Sequence, residues 1–356
     1  MALEEAMAAR LQTLAPVGVL GAVLVMDAPQ LGRVGAAMGY ADLSGKAITR
    51  ADAFQIGSQT KVFTAAAIVR LARHGQIDLD DYVAQYVDGV VGGDTVTLHQ
   101  LLNHTSGLGD GVRHFDTPGP PPQRHVSFEE LARLSAQDGP AFAPGEGWAY
   151  NNFGFDILGK VMARVTDTSA AAYVAQAFLT PLGLDHTMAA SKDHWPMPLA
   201  HGYHAIDGIP ADMGAPHDLA WAYTAGDMIS TSDDMIDWIR ALAAEDATLG
   251  VALRDLRAGF VAVPDDPDMP RYGYGLMERR FGAVTTWGHG GFIHGYISYA
   301  GVAPGQDVAF SIMTSLNGDP ALDYGAVIDR LSLVLSEALA AMAEAARTSG
   351  RLSCGD

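Results

Sequence analysis

The chain has 356 residues, 49% apolar and 18% charged, which allows one large domain or two ordinary ones and excludes a disordered chain. A formal net charge of −19 argues against DNA, RNA or an anionic membrane as partner, because each would repel it. The single cysteine, Cys354 in a polar tail, excludes an internal disulfide and makes a cysteine zinc site or cysteine nucleophile unattractive.

Leu3, Met7, Leu11 and Leu14 recur at helical spacing and predict an N-terminal amphipathic helix. The start carries Glu4 and Glu5 and no basic n-region. The apolar stretch Val17 to Met26 holds two glycines, is too short to span a bilayer and is poorly built as a signal peptide. It reads as a buried strand, followed by a second at Gly32 to Tyr40, and the expected compartment is the cytoplasm. A short apolar run from Ala53 to Gly57 turns into a helix near Ser58 that reaches about His74, where Gly75 stops it.

The middle of the chain is helix and loop. A short helix is expected over Thr97 to Leu102 and a long glycine- and proline-rich loop over Gly107 to Pro122. Ser127 followed by Glu130 predicts a capping box. Asn152 is the expected cap of a helix over Phe153 to Thr166, and another helix runs from Thr231 to Ala244. Four short runs then read as consecutive antiparallel strands: Tyr272 to Glu278, Phe281 to Trp287, Gly295 to Val302 and Asp307 to Ser315. An alanine-rich helix from about Pro320 to Arg347 closes the chain.

Strands at both ends and helices between them predict an α/β fold of the α+β kind. The early and late strands form one antiparallel sheet flanked by the N- and C-terminal helices, with a mostly helical domain inserted. The expected domains are 1–57 with 223–356 (mixed α/β) and 58–222 (mostly helical), with the active site at their interface.

The most informative local feature is Ser58 followed three residues later by Lys61, one of four lysines in the chain. Residues three apart share a helix face, so hydroxyl and amine can touch. Serine needs a base to become a nucleophile, and a desolvated lysine can serve where an always-protonated arginine cannot. A backbone N–H at a helix start also suits an oxyanion. Tyr150 and Asn152 form a second cluster: a phenol that can manage a proton beside Lys61, and an amide that can bond both the lysine and a substrate. Whether Lys61 or Tyr150 is the formal base stays open, and the pair can titrate as one unit. His289, on a late strand, can stabilise an anionic intermediate or relay a proton. Gly290 and Gly291 leave room for substrate to add along the strand edge, and the Phe292 N–H is the expected second oxyanion donor beside that of Ser58. Trp221 and Tyr223 are further candidates for lining the substrate cleft.

With these three segments in hand, the chain resembles the serine β-lactamase and penicillin-binding-protein superfamily, whose members share Ser-x-x-Lys. More narrowly it resembles the class C β-lactamase-like branch with tyrosine–x–asparagine as second motif. Within that branch it is similar to members with histidine in the third: D-aminopeptidases, D-amino-acid amidases, D-alanyl-D-alanine carboxypeptidases and related esterases. Leu101 to Leu108, Pro144 to Glu146 and Ala225 to Thr231 are also typical of the branch. The resemblance implies a β-lactamase/transpeptidase-like fold, acylation of Ser58, proton management by Lys61 and Tyr150, and deacylation by water. One departure matters: the family places threonine or serine where this chain has Gly290, so one contact to a substrate carboxylate is missing.

The expected activity is therefore cleavage of an amide or peptide bond, next to a D-amino acid, in a small molecule or short peptide. The alternatives are a carboxylesterase, an acyltransferase, a weak β-lactamase or penicillin-binding protein, or a sensor acylated once. No cofactor is expected. His201 with His204, and His289 with His294, have spacings a metal could use but lack the acidic zincin pattern, so no metal is expected. The nucleophile elbow of α/β-hydrolases is absent around Ser58. Oligomeric state is not legible in the sequence.

Overall fold

A computed structural model of the chain describes residues 2–115, 122, 124–190, 198–214 and 219–352. Cys354, Lys192 and part of the loop expected over Gly107 to Pro122 lie outside the described residues. The principal elements in chain order are α1 (Ala2–Gln12), β1 (Val19–Ala28), β2 (Gly32–Gly39), α2 (Thr60–Arg73), α3 (Leu98–Leu102), α4 (Phe128–Asp138), α5 (Asn152–Thr166) and α6 (Ser232–Ala243). Then follow β3 (Val261–Ala262), β4 (Arg271–Tyr272), β5 (Met277–Phe281), β6 (Val284–Ile293), β7 (Tyr296–Ala303), β8 (Val308–Leu316) and α7 (Tyr324–Leu352).

The eight strands form one antiparallel sheet in the order β2-β1-β8-β7-β6-β5-β4-β3. The early hairpin joins the late strands through β1 and β8, with Leu24 opposite Ile312 and Met26 opposite Phe310. Both faces of β1 are covered, which is why it reads as a continuous apolar run rather than an alternating one. Leu24 and Met26 face a cluster with Leu11 of α1 and Leu335 and Leu339 of α7. Val23 and Val25 face the opposite cluster, which holds Phe63 of α2 and Trp238 of α6. The Phe63 and Trp238 rings stack at 4.4 Å, and α2 is buried on nearly every side. An all-round apolar helix belongs at the centre of a fold, and α2 carries the residues that follow Ser58.

Several boundaries differ from expectation for local reasons. The stretch Tyr272 to Glu278 is not one strand. Gly275, with φ +59°, turns the chain, and a Cβ there would lie 2.6 Å from the Lys61 carbonyl oxygen. Phe281 ends β5 and pairs with Val284, so the hairpin turn falls at Gly282 and Ala283. The Ser127 cap forms, accepting the Glu130 N–H at 3.3 Å, but the Glu130 carboxylate pairs with Arg124 instead of closing the box. The cap of α5 is Asn151, which accepts the Gly154 N–H at 2.6 Å; Asn152 is the first helical residue. Asp323 accepts the Ala326 N–H, so α7 starts at Tyr324 rather than near Pro320. Among the described residues no helix is long and apolar enough to cross a membrane.

Candidate active site

The turn bearing Ser58 is clamped from three directions. Phe54 and Gln55 pair with the short strand Met228–Ser230, and the Ile56 N–H bonds Met228 O at 3.0 Å. Gln59 Nε2 donates to Ser298 Oγ at 2.6 Å, and Ser298 Oγ donates to Ile56 O at 3.1 Å. Thr60 Oγ1 returns to Gly57 O at 2.7 Å. Gly57 has φ +52°, and a Cβ on it would sit 3.0 Å from Phe292 N; a Cβ on Gly291 would sit 1.9 Å from Ile56 O. Backbone therefore lies on backbone, which only glycine permits, and the Phe292 amide is brought against the Ser58 turn. A 3₁₀ turn over Gly57–Gln59 then feeds α2.

Lys61 is completely buried, and polar and aromatic groups surround its ammonium. Nζ lies 3.1 Å from Ser58 Oγ, 2.7 Å from Asn152 Oδ1 and 2.8 Å from Ala225 O. The Tyr150 ring centroid is 4.9 Å away and that of Phe155 5.4 Å, a range in which aromatic faces attract a cation. Asp110 sets the direction of Asn152. Its carboxylate accepts the Asn152 and Phe153 N–H groups at 3.0 and 2.9 Å, the unsatisfied start of α5. The same carboxylate is 3.5 Å from Asn152 Nδ2, so the amide oxygen is the end that faces Lys61. Burial raises the Asp110 pKa, while those N–H groups and the Lys61 charge pull it down.

His289 is also fully buried. Its Nδ1 meets the Gly290 carbonyl and its Nε2 meets the Tyr272 hydroxyl at 2.8 Å. A carbonyl only accepts, so Nδ1–H donates and Nε2 accepts the Tyr272 proton. Burial, and secondarily the Lys61 charge, push its pKa down to about 3. Burial thus favours the neutral imidazole, with both ring nitrogens engaged. Its ring stands 6.2 Å from Tyr150. On the other side of Tyr150 lies His104, 4.4 Å away, in the left-handed region at φ +64°. His104 Nδ1 accepts the Asn151 N–H, and burial holds its pKa well below the usual value. Tyr150 is thus held between two neutral histidines.

These histidines predict a pH effect on stability. An unfolded histidine titrates near 6.5, whereas folded His289 does so near 3. Between those values the unfolded chain binds more protons, so stability is complete above about pH 6.5 and falls as pH drops toward 3. His289→Gln is expected to flatten that acid limb by up to about 1.4 kcal/mol per pH unit. Urea unfolding at pH 4.5, 5.5 and 6.5 measures it, and equal slopes in both proteins would refute it.

A cavity of about 260 Å³ opens on Ser58, Tyr150 and His289 and passes Gly290 and Gly291. Strand β5 pairs with β6 only as far as Gly288, so β6 presents a strand edge from His289 onward, where an extended substrate could add. Trp221 borders a separate small space together with Ser58 and Asn152. Tyr223 does not join them: it packs against Gly159 of α5 and lines another space with Asp227, because the short helix Tyr223–Gly226 turns its ring away while offering Ala225 O to Lys61. Arg279 lines the Ser58 cavity; Arg280 lies exposed on the sheet.

Three participants were missed in the sequence: Asp110, Tyr272 and Asp156. Asp156 has a signal, its spacing of four from Asn152 on one helix face. It is fully buried, and burial raises its pKa well above the usual range, opposed by the Lys61 charge. Asp110 and Tyr272 carry no local signal. Among the described residues no group of three or more histidine, cysteine, aspartate or glutamate side chains could hold a metal.

The family model described as Beta-lactamase matches residues 7–332. Penicillin-binding protein 4 of Amycolatopsis lactamdurans is 30% identical over 308 residues, 79% of this chain and 76% of that protein. Protein flp of Staphylococcus aureus (strain COL) is 24% identical over 79% of this chain, which spans only 56% of that relative. The D-stereospecific amidohydrolase from Streptomyces sp. is similar in structure, with a TM-score of 0.78 at 29% identity, covering 92% of this chain and 97% of that one. The D-amino acid amidase from Ochrobactrum anthropi SV3, solved with D-phenylalanine, shares the fold at a TM-score of 0.82 and 24% identity, covering 95% and 99%.

Proposed function

The chain belongs to the beta-lactamase family, and from that premise we propose that it is a serine hydrolase that cleaves an amide or peptide bond next to a D-amino acid through an acyl-enzyme on Ser58. The observation that carries the reading is the 3.1 Å contact between Ser58 Oγ and a buried Lys61 Nζ whose position Asn152 and Ala225 fix. Ser58 Oγ attacks the carbonyl carbon while its proton passes to the Lys61–Tyr150 pair. The oxyanion is received by the backbone N–H groups of Ser58 and Phe292. The pair returns the proton to the departing nitrogen, the C–N bond breaks, and water then releases the acid from Ser58. His289 is a positioning residue for Tyr150 rather than a proton carrier. The missing hydroxyl at Gly290 favours substrates without a required terminal carboxylate. The likeness to a D-stereospecific amidohydrolase and to a D-amino acid amidase supports D-configured amides.

The test is a panel of D- and L-amino-acid amides, D-alanyl dipeptides, p-nitrophenyl esters and a chromogenic cephalosporin. The expected outcome is multiple turnover, fastest on the D-amides. Turnover confined to the esters would replace the amidase reading with a carboxylesterase, and a single equivalent of product would replace it with a sensor. Tyr150→Phe is expected to lower kcat/KM on the best substrate at least about 100-fold; a near-native rate would remove Tyr150 from the chemistry.

A further inference from the structure

Two spaces of unequal size meet at the nucleophile. The cavity of about 260 Å³ and the small space beside Trp221 share two lining residues, Ser58 and Phe292. Those residues carry the attacking hydroxyl and the two backbone N–H groups proposed to receive the oxyanion. A carbonyl seated there points its oxygen at the two N–H groups, and its two remaining substituents diverge, one toward each space. The larger space stays open past Gly290: a Cβ there would meet the Tyr299 ring at 3.3 Å and no backbone atom closer than 3.7 Å. The smaller space, about 10 Å³, has room for a single water-sized group.

Among the described residues, Val112, Asn152, Trp221, Ala225 and Ile293 are further walls of the smaller space, and all five are buried. Asn152 and Ala225 are fixed by their bonds to Lys61. Trp221 is the bulkiest wall, and packing holds it in place. Its ring meets His294 at 5.7 Å, and His294 meets His204 at 5.0 Å. His204 Nδ1 contacts the Tyr324 hydroxyl at 3.0 Å, and the Tyr324 ring stands edge-on to Phe292 at 5.4 Å. The rings that back Trp221 therefore end at the residue that supplies the second oxyanion donor. Resting on the reading of Ser58 as nucleophile, we infer that Trp221 is a specificity-determining residue. It restricts one of the two groups on the scissile carbonyl to about the size of an amino or methyl group, while the larger cavity accepts a bulky group on the other side. The restriction belongs to a side of the carbonyl rather than to the acyl or the leaving group as such, since both are bonded to the carbon that Ser58 attacks. A primary amide of a bulky acid and an acetyl derivative of a bulky amine both satisfy it, and a compound bulky on both sides does not.

The test uses the full chain and three alkyl esters, with products separated by chromatography: methyl 3-phenylpropanoate, 2-phenylethyl acetate and 2-phenylethyl 3-phenylpropanoate. The first two are bulky on one side of the carbonyl and the third on both. The better singly bulky ester is expected to exceed the doubly bulky one in kcat/KM by about tenfold or more, the scale on which a filled pocket rejects an added group. Trp221→Ala should raise the doubly bulky ester against that reference by about tenfold, and Trp221→Phe by less. Val112→Ala widens the same space from another wall and should move the ratio in the same direction, which guards against a poorly folded tryptophan variant. Each ratio is taken within one protein, so a loss of folded enzyme cancels. A native protein that cleaves the doubly bulky ester less than about tenfold slower overturns the size limit. A ratio left unchanged by Trp221→Ala in folded protein, or by Val112→Ala where the tryptophan variant does not fold, overturns the assignment to this wall. Both results leave the nucleophile standing if intact mass shows an acyl adduct on Ser58. Absence of any adduct on Ser58 overturns the size limit together with the hydrolase reading.

Discussion

Ser58→Ala is expected to remove the covalent adduct and to lower kcat by about 10⁴-fold or more, as loss of a serine nucleophile does elsewhere. The fold should barely notice. The hydroxyl accepts one hydrogen bond from Lys61, and the turn is held by bonds that do not involve it: Gln59 to Ser298, Ser298 to Ile56 and Thr60 to Gly57. Losing one such bond costs about 0.5–1.5 kcal/mol, a small change beside the loss of the reacting atom. Intact mass after incubation with a slow ester, with thermal melts of both proteins, separates the two effects. An adduct that persists in Ser58→Ala, or activity above a few per cent with an unchanged melt, would move the nucleophile elsewhere.

Lys61→Met is expected to lower the rate by about 10²–10⁴-fold, the range for loss of an acid–base group, while changing stability much less. Methionine has nearly the reach of lysine and no charge. The change strips a donor from Asn152 Oδ1 and Ala225 O, at about 1–3 kcal/mol for each acceptor left unsatisfied. It also removes a buried cation, whose desolvation opposes folding, so the two contributions offset. Single-turnover acylation measured per folded molecule is the discriminating readout. If Lys61 serves only to pack the site, Lys61→Met will melt lower and acylate Ser58 at the native rate, and the proposed chemistry fails.

Much of the molecule was legible in the sequence because its signals are short-ranged. Ser58 and Lys61 are neighbours on one turn of chain, so their contact follows from helical spacing alone. The buried strand at the start of the chain follows from a continuous apolar run, and the α1 stripe of Leu3, Met7 and Leu11 from period 3.6. Boundaries were less legible where a side chain had two possible partners. Glu130 could close a cap or pair with Arg124, and the expected cap Asn152 gave way to Asn151 where Asp110 engaged the Asn152 backbone. The break at Gly275 was hidden because the reason for it, the carbonyl of Lys61, lies more than two hundred residues earlier.

By itself the sequence determined the α+β class, the family and the three motif segments, since each depends on residue type and local spacing. Tertiary structure alone decided what those segments do to one another. It placed Lys61 between Ser58, Asn152 and Ala225, buried His289 with both ring nitrogens engaged, and turned Tyr223 away from the nucleophile. It also left an open passage at Gly290 and brought Asp110 to aim the Asn152 amide. The physical reason is that protonation state, amide direction and cavity shape are set by the dielectric and the partners around a group, and those partners come from distant parts of the chain.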